Sequence, residues 1–378
     1  MNSITQGLLA EGCQVRVLAV CSDKHPVLGS RMSEDYIAAT HFEAVHIDLG
    51  IHLIDAGVSW LCGESYHVKR FISKEFSARL KAVLQEEQFD IIHVESIFLT
   101  PYLPLIRKYS QARVFLRAHN VEHLIWQRVA KSERNPVKRS YLKHLSLTLR
   151  AYECDHLNDY DGIIPITDKD AALLRQLGCR KPIVAIPFGV QPANMADVPV
   201  EPHSLYHLGS MDWMPNQEGV RWFLDKVWPK VHQAMPQWNL YLAGRKMPDE
   251  LTNLQMEGVH VVGEVADAMA FMASKQINVV PLLSGSGIRV KIIEALSAGK
   301  VVVTTSIGAE GINYTDGKNL LIADTPEQFV EQLRRCDEHP DFCSQVGRNA
   351  LDLILHEYDN TLLTRRLLQF YRQLLDKE

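Results

Sequence analysis

The sequence predicts an α/β protein made of two doubly wound parallel-sheet domains facing each other across a cleft. Three observations carry that prediction. Short apolar runs rich in branched residues alternate with segments of helical periodicity, once over each half of the chain. The 378 residues suffice for about two domains, each with its own core. Between the halves lies GVQPANMADVPVEPH, residues 189–203, rich in proline and without periodicity, as a linker is.

The chain opens on NSITQGLLAEG, which reads as a helix with Ser3 and Gln6 as a capping pair and Gly12 as its stop. The first-half strands are QVRVLAV, FEAVHID, FDIIHVE, ARVFLRAH, DGIIPIT and PIVAIPF, which gives a domain over residues 1–188. A doubly wound domain normally begins with a strand and a loop before its first helix, and neither precedes this one. That first strand is usually central, so the expectation is a gap in the middle of the sheet and a start placed too late. The second-half strands are SLYHLG, WNLYLAG, VHVVG, INVVPLL, KVVVTT and NLLIA, giving a domain over 204–356. Helical patterns such as NQEGVRWFLDKVWPKVHQAM and PEQFVEQLRRC lie between them.

Composition removes several classes of function. Forty basic against 45 acidic residues leave a net charge of −5, so nothing points to a nucleic-acid partner. The seven cysteines are scattered with no Cys-x-x-Cys pair, which suits reduced thiols in a cytosol rather than a disulfide framework or a zinc site. No apolar run approaches the ~18 residues of a membrane span, and no basic-then-apolar leader opens the chain.

The chemistry concentrates in SGSGIRVKIIEALSAGK, residues 284–300. Apolar INVVPLL precedes it, Ile288, Ile292, Ala295 and Leu296 follow at helical spacing, and Gly299 fits a helix stop. The local reading is strand, glycine loop, helix, strand, and ligands of such units bind at the carboxyl ends of the strands. Gly285 and Gly287 allow the backbone to approach an anion, and Arg289 and Lys291 add charge-assisted bonds to phosphate oxygens. Glu294, one turn further, can accept from sugar hydroxyls. A sugar nucleotide's diphosphate and ribose fit this set; so does a plain connecting loop with two solvated cations.

In the first half RAHNVEH places His119 and Asn120 at a strand's carboxyl end. His119, Glu122 and His123 also spell the inverted zincin pattern H-x-x-E-H, but zinc would need all three on one helical face, and His119 reads as loop. The Asp159–Asp161 pair reads as turn chemistry rather than a metal site. In 136–153, Val137, Tyr141, Leu145, Leu149 and Tyr152 form a stripe flanked by Lys138, Arg139, Lys143 and Arg150. That stripe suits either core packing or contact with anionic lipid.

Several motifs in order now resemble one family. GSGIRVKIIEALSAGKVVVTTSIGAEGI is similar to the donor-site signature of family 4 (group 1) retaining glycosyltransferases, which have the GT-B fold. HNVEHLIW, VAIPFGV, YHLGSMDWMPNQEGVRWF and NTLLTRRLLQFYRQLL resemble further stretches of it, the last being a helix (357–378) that returns to the first domain. The resemblance implies transfer of a sugar from a UDP- or GDP-linked donor to a glycan or lipid-linked acceptor, with retention and without a metal or other cofactor. It implies polysaccharide biosynthesis in the cytoplasm, with membrane contact through 136–153 as an option. Arg289 and Lys291 would hold the diphosphate, with Gly285 and Gly287 bringing backbone N–H groups close. Glu294 matches the second glutamate of the family's Glu-x7-Glu motif and would hold the ribose, while the first falls on Ser286. Gly209 and Asn216 lie in the opening loop of the second domain, where Ser210 and Asn216 stand in place of an Arg and a Lys common in the family. The turn Gly263 to Val265 would read the base, and Glu310 and Gly311 match the following donor-side loop. His119 would act beside the reacting groups, with Asn120 and Glu122 on the acceptor side. A sugar-nucleotide-binding partner without transferase activity is the alternative, and an epimerase on a similar fold a distant third.

Overall fold

The computed structural model describes residues 2–23, 32–50, 64–191, 198–285 and 287–376. The chain forms two compact units, Met1–Pro187 with Leu363–Glu378, and Phe188–Leu362. Part of the linker stretch, 192–197, and Ser286 lie outside the described residues.

In the first unit β1 (Leu18–Cys21) pairs in parallel with β2 (Glu43–His46). β3 (Ile91–Val94), β4 (Arg113–Ala118) and β5 (Gly162–Pro165) form a second parallel set. Among the described residues these two sets do not join, giving sheets of two and three strands. β4 alternates its side chains between two cores, as a strand buried on both faces must. Val114 and Leu116 pack with Leu103, Ile106 and Leu157. Phe115 packs with Ile4 from the helix Asn2–Ala10 and with Leu363, Leu367, Phe370 and Tyr371 from the helix Asn360–Leu375. Those last four positions make one apolar stripe at helical spacing.

Two expectations are corrected here, and a third, open between core packing and lipid contact, is narrowed. The opening helix begins at Asn2, so Ser3 and Gln6 lie inside it and Ser3 is no cap; Gly12, at φ +81°, ends it. PIVAIPF forms no strand beyond one isolated bridge between Ile163 and Ile183: Val184 and Ile186 donate to the carbonyls of Ile163 and Pro165 at 3.2 and 2.9 Å, but Pro165 in β5 has no N–H to give back, so the ladder lapses. In the helix Pro136–His156, Leu142, Leu145 and Leu149 are buried, so that face is mostly core, and only Val137 in its first turn stands 79% exposed. The Asp159–Asp161 turn is structural. Asp161 accepts from the Val114 N–H at 2.7 Å and pairs with Arg107 at 2.8 Å, and Asp159 bonds His156 at 2.6 Å.

The second unit holds one six-stranded parallel sheet in the order β11-β10-β9-β6-β7-β8. Its strands are β6 (Ser204–Leu208), β7 (Asn239–Ala243), β8 (Val259–Gly263), β9 (Ile277–Val280), β10 (Val301–Thr304) and β11 (Leu321–Ile322). β9 and β10 are buried at every residue, whereas β8, at the edge, shows every second residue to solvent. Leu205, Val279, Val301 and Val303 face one core, and Tyr206, Val280 and Val302 the other. The helix Met214–Trp222 lies close to the end of β9. A Cβ on Gly219 would stand 2.3 Å from the Pro281 carbonyl oxygen, so only glycine permits this approach.

Candidate functional site

The glycine loop leaves β9 and leads into the helix Val290–Ser297, whose first flanking residue is Arg289. Gly285 sits at φ +124°, in the region that favours glycine. A Cβ there would also press to 2.9 Å from Arg289 Nη2, so the bare backbone gives the guanidinium its place. Arg289 is 4% exposed, donates from Nη1 to the Gly287 carbonyl, and lies 5.8 Å from the centre of the Trp213 ring. Its Nη2 reaches Ile307 O at 3.5 Å, in the loop after β10. Thr304 and Thr305 fasten that loop by donating to the carbonyls of Val280 and Leu282.

Lys291, in the first turn of the helix, donates to Asn216 Oδ1 at 2.6 Å, and its Nζ lies 3.5 Å from His207 Nε2. Asn216 Nδ2 in turn donates to the Ser210 carbonyl at 2.8 Å, which aims the amide oxygen at Lys291. Burial, reinforced by the Arg289 guanidinium, lowers Lys291 to about 7. Gly209, Ser210, Trp213, Asn216, Ile288, Arg289, Val290 and Lys291 enclose a cavity of about 290 Å³. Two cations, Arg289 and Lys291, line this space, and the side-chain partners of Lys291, Asn216 and His207, are both neutral, which suits a ligand that brings its own negative charge.

The structure thus gathers Gly209, Asn216, Arg289 and Lys291 around one cavity, with Gly285 and Gly287 in the adjoining loop. Glu294 is exposed one turn along the helix, Val265 is half-buried in the loop after β8, and Glu310 and Gly311 lie in the loop after β10; none of these four lines the cavity. His207 and Trp213 belong to the site but went unread in the sequence. His207 sits inside an apolar strand, and only the neighbouring strands show what it faces.

The first unit holds the other candidates. His119 follows β4, and its Nε2 bonds Glu95 Oε2, beyond β3, at 2.7 Å. Burial works against the Glu95 charge, but the bond to His119 and the nearby imidazoles hold its carboxyl down to about 2. His93, lowered to about 4 by burial against the pull of Glu95, bonds Tyr371 Oη at 2.5 Å. Arg117, fully buried, donates to the carbonyls of Ile186 and Pro187 at 2.6 and 3.3 Å.

The helix Glu122–Ser132 has no cap from its own first flanking residue. Glu153 supplies one from the helix Pro136–His156, accepting from the N–H groups of Glu122 and His123 at 2.9 and 3.1 Å and bonding His123 Nδ1 at 2.5 Å. His119 and His123 therefore turn to different carboxylates, and among the described residues no three His, Cys, Asp or Glu side chains gather as metal ligands. Glu122 is raised to about 7 by burial and by the Glu153 charge, with Asn120 pulling the other way. His119, Asn120 and Glu122 line a small cavity with Ser96 and Glu153.

Solved proteins share this build. Sucrose-phosphate synthase from Thermosynechococcus elongatus superposes over 99% of this chain and 92% of its own, with TM-score 0.68 and 15% identity. The HepE protein of Anabaena, solved with UDP, matches over 95% of this chain and all of its own, with TM-score 0.64 and 14% identity. These likenesses show the fold, that of the GT-B glycosyltransferases. Residues 1–194 match the family described as Glycosyltransferase Family 4, and residues 202–338 the one described as Glycosyl transferases group 1. The chain belongs to this family, the group 1 family 4 glycosyltransferases. An uncharacterized 44.6 kDa protein of the cps region of Klebsiella pneumoniae is 22% identical over 295 residues, 75% of this chain and 74% of that one. The phosphatidyl-myo-inositol mannosyltransferase of Mycolicibacterium smegmatis is 25% identical over 201 residues, about half of each chain (50% and 51%).

Proposed function

We propose that this glycosyltransferase takes a UDP- or GDP-linked sugar and transfers it, with retention, to a glycan or lipid-linked acceptor in polysaccharide assembly. The observation that carries the reading is the cavity bounded by Arg289, Lys291, Gly209 and Asn216 beside the glycine loop. In the transfer, the bond from the sugar's anomeric carbon to the diphosphate breaks and its electron pair stays on the phosphate oxygen. The acceptor oxygen forms the new bond and gives up its proton, which the departing phosphate oxygen takes on the electron pair it has gained. Arg289 and Lys291 stabilise the charge growing on the departing diphosphate without moving, which is the work a divalent metal would otherwise do. His119, oriented by Glu95, and Asn120 and Glu122 form the acceptor side in this reading; Glu294, Val265, Glu310 and Gly311 complete the ribose and base contacts. The relatives are in keeping with it: HepE has also been solved with UDP-glucose, and the Klebsiella protein comes from a cps region.

The described cysteines are free thiols, in keeping with a cytoplasmic setting. No helix among the described residues is long and apolar enough to cross a membrane. Contact with anionic lipid, in this reading, narrows to the first turn of the helix Pro136–His156, where Val137 and Lys138 are exposed. The test of the whole is a thermal-shift panel of UDP, GDP, ADP and their sugars, followed by turnover of the best ligand with and without EDTA. UDP or GDP should stabilise the chain, and turnover should survive chelation. Nucleotide binding with no transfer to any glycan or lipid acceptor would favour the non-catalytic partner instead.

A further inference from the structure

We propose that the cavity of the second unit takes up a proton on Lys291 when it binds an anionic ligand, and that His207 is the positioning residue that makes it do so. The inference rests on reading that cavity as a phosphate site. Its basis is the chemistry of the three groups around one nitrogen. His207 is 1% exposed, and its Nδ1 lies 2.9 Å from the Val279 carbonyl oxygen. A carbonyl only accepts, so Nδ1 carries the hydrogen and Nε2 turns a bare lone pair toward Lys291. Asn216 offers its amide oxygen from the other side. Both partners are neutral acceptors, so they hold the ammonium in place without supplying a counter-charge.

Among the described residues no other element supplies one. On the loop side stands Arg289, a second cation. On β6, His207 is kept neutral: burial first, then Lys291 itself, push it well down, against the Val279 bond. From the helix Met214–Trp222, Glu218 bonds Ser284 at 2.8 Å and Arg221 pairs with Glu250. Glu294, on the same helix as Lys291, is exposed. Among the described residues no carboxylate comes within ion-pair distance of Lys291. With the cavity empty the ammonium is therefore only partly populated near neutrality, at about 7. A bound diphosphate supplies the missing charge, favours the ammonium, and draws a proton from solvent.

Affinity for the anion should then fall as pH rises past about 7, approaching about tenfold per pH unit for a single linked proton. The experiment is calorimetric titration of the full chain with UDP-glucose and with GDP-mannose, whose diphosphate diesters do not titrate near neutrality. Each titration is run at about pH 7.5 in PIPES and in Tris, buffers of different ionisation enthalpy. The expected result is a heat that differs between buffers by a substantial fraction of one proton per ligand, and that loses this difference in Lys291→Met. In His207→Phe, which fills the space but removes the lone pair, the midpoint of the affinity–pH curve should move to lower pH, and His207→Gln should move it back. Binding with equal heats in both buffers overturns the inference and leaves the phosphate site standing. An unmoved midpoint in a folded His207→Phe removes the role of His207. No binding of either ligand overturns the phosphate reading and the inference together.

Discussion

The two units treat buried charge in opposite ways. Around His119 most of the ionisable groups are answered by the protein itself: Glu95 by His119, Glu153 by His123, and Arg117 by two carbonyls, with Glu122 the exception beside Glu153. Around Lys291 there are two cations, an amide and a neutral imidazole. A site that is compensated internally can orient a group but has little field left for a charged ligand. One left short of negative charge is destabilised when empty, and that cost is recovered when an anion enters. The sheets differ in parallel. The second unit's continuous sheet brings β6 and β9 side by side, so residues 84 positions apart, His207 and Lys291, meet at one end. The first unit reaches similar meetings at the end of its three-stranded sheet, where Glu95 and His119 follow β3 and β4, and through helices, as with Glu153 and Tyr371.

The contrast predicts that damage on the two sides reads out differently. The largest effect should come from His119→Ala, with turnover down about a hundredfold or more if the imidazole acts in proton transfer, and nucleotide affinity almost unchanged. Steady-state rates alongside calorimetry of nucleotide binding check this; a comparable loss of affinity would end the division of labour. Arg289→Ala should do the reverse, weakening nucleotide binding about 10- to 100-fold through loss of a charge-assisted contact, with the melting temperature little changed. Undiminished binding in titrations of that variant would remove Arg289 from the phosphate site.

A smaller effect concerns Glu122, a carboxyl of the first unit held up, at about 7, by burial and Glu153. A carboxyl raised in the folded state favours folding when protonated, and that support is lost as pH climbs from about 4.5 to about 7. Glu122→Gln should therefore stabilise the protein at pH 8 by about 1–3 kcal/mol, and the gain should vanish toward pH 4.5. Urea melts at the two pH values measure it. Equal stability of both proteins at pH 8 would mean that neither burial nor Glu153 holds the Glu122 carboxyl up. The smallest expected effect is on His67, whose ring centre lies 4.0 Å from that of Trp126 and which is lowered to about 4 by burial and Arg70. Its neutral form supports folding above about 6.5, and that support fades as pH falls toward 4. His67→Asn should flatten the acid limb of a stability–pH curve recorded by circular dichroism.

Much of the second unit was legible in its sequence, because the signals there are local. Strand, glycine loop, Arg289, Lys291 and helix follow one another between Ile277 and Ser297, and branched apolar runs mark strands buried on both faces. What escaped depended on contacts made at a distance. His207 looks like one polar residue in a strand until Val279 and Lys291 come alongside. Trp213 looks like a loop residue until Gly285 and Arg289 are set against it. Glu153 caps a helix begun thirty residues earlier, which no cap pattern near Val121 announces. PIVAIPF misled for a related reason: it bonds β5 through the Val184 and Ile186 N–H groups, but Pro165 on the neighbouring strand has no N–H to complete the ladder.

The helix Asn360–Leu375 has a consequence for how the protein comes into being. Leu363, Leu367, Phe370 and Tyr371 complete the core over Phe115, and Tyr371 bonds His93 across 278 positions of sequence. During synthesis these residues leave the ribosome only after the whole second unit has been made. The second unit, formed by the continuous stretch Phe188–Leu362, has all its parts at hand first. The earlier-made segment must wait with the Phe115 face of β4 uncovered, exposed to chaperones and to stray partners for as long as about 175 residues take to translate, several seconds or more at ordinary elongation rates.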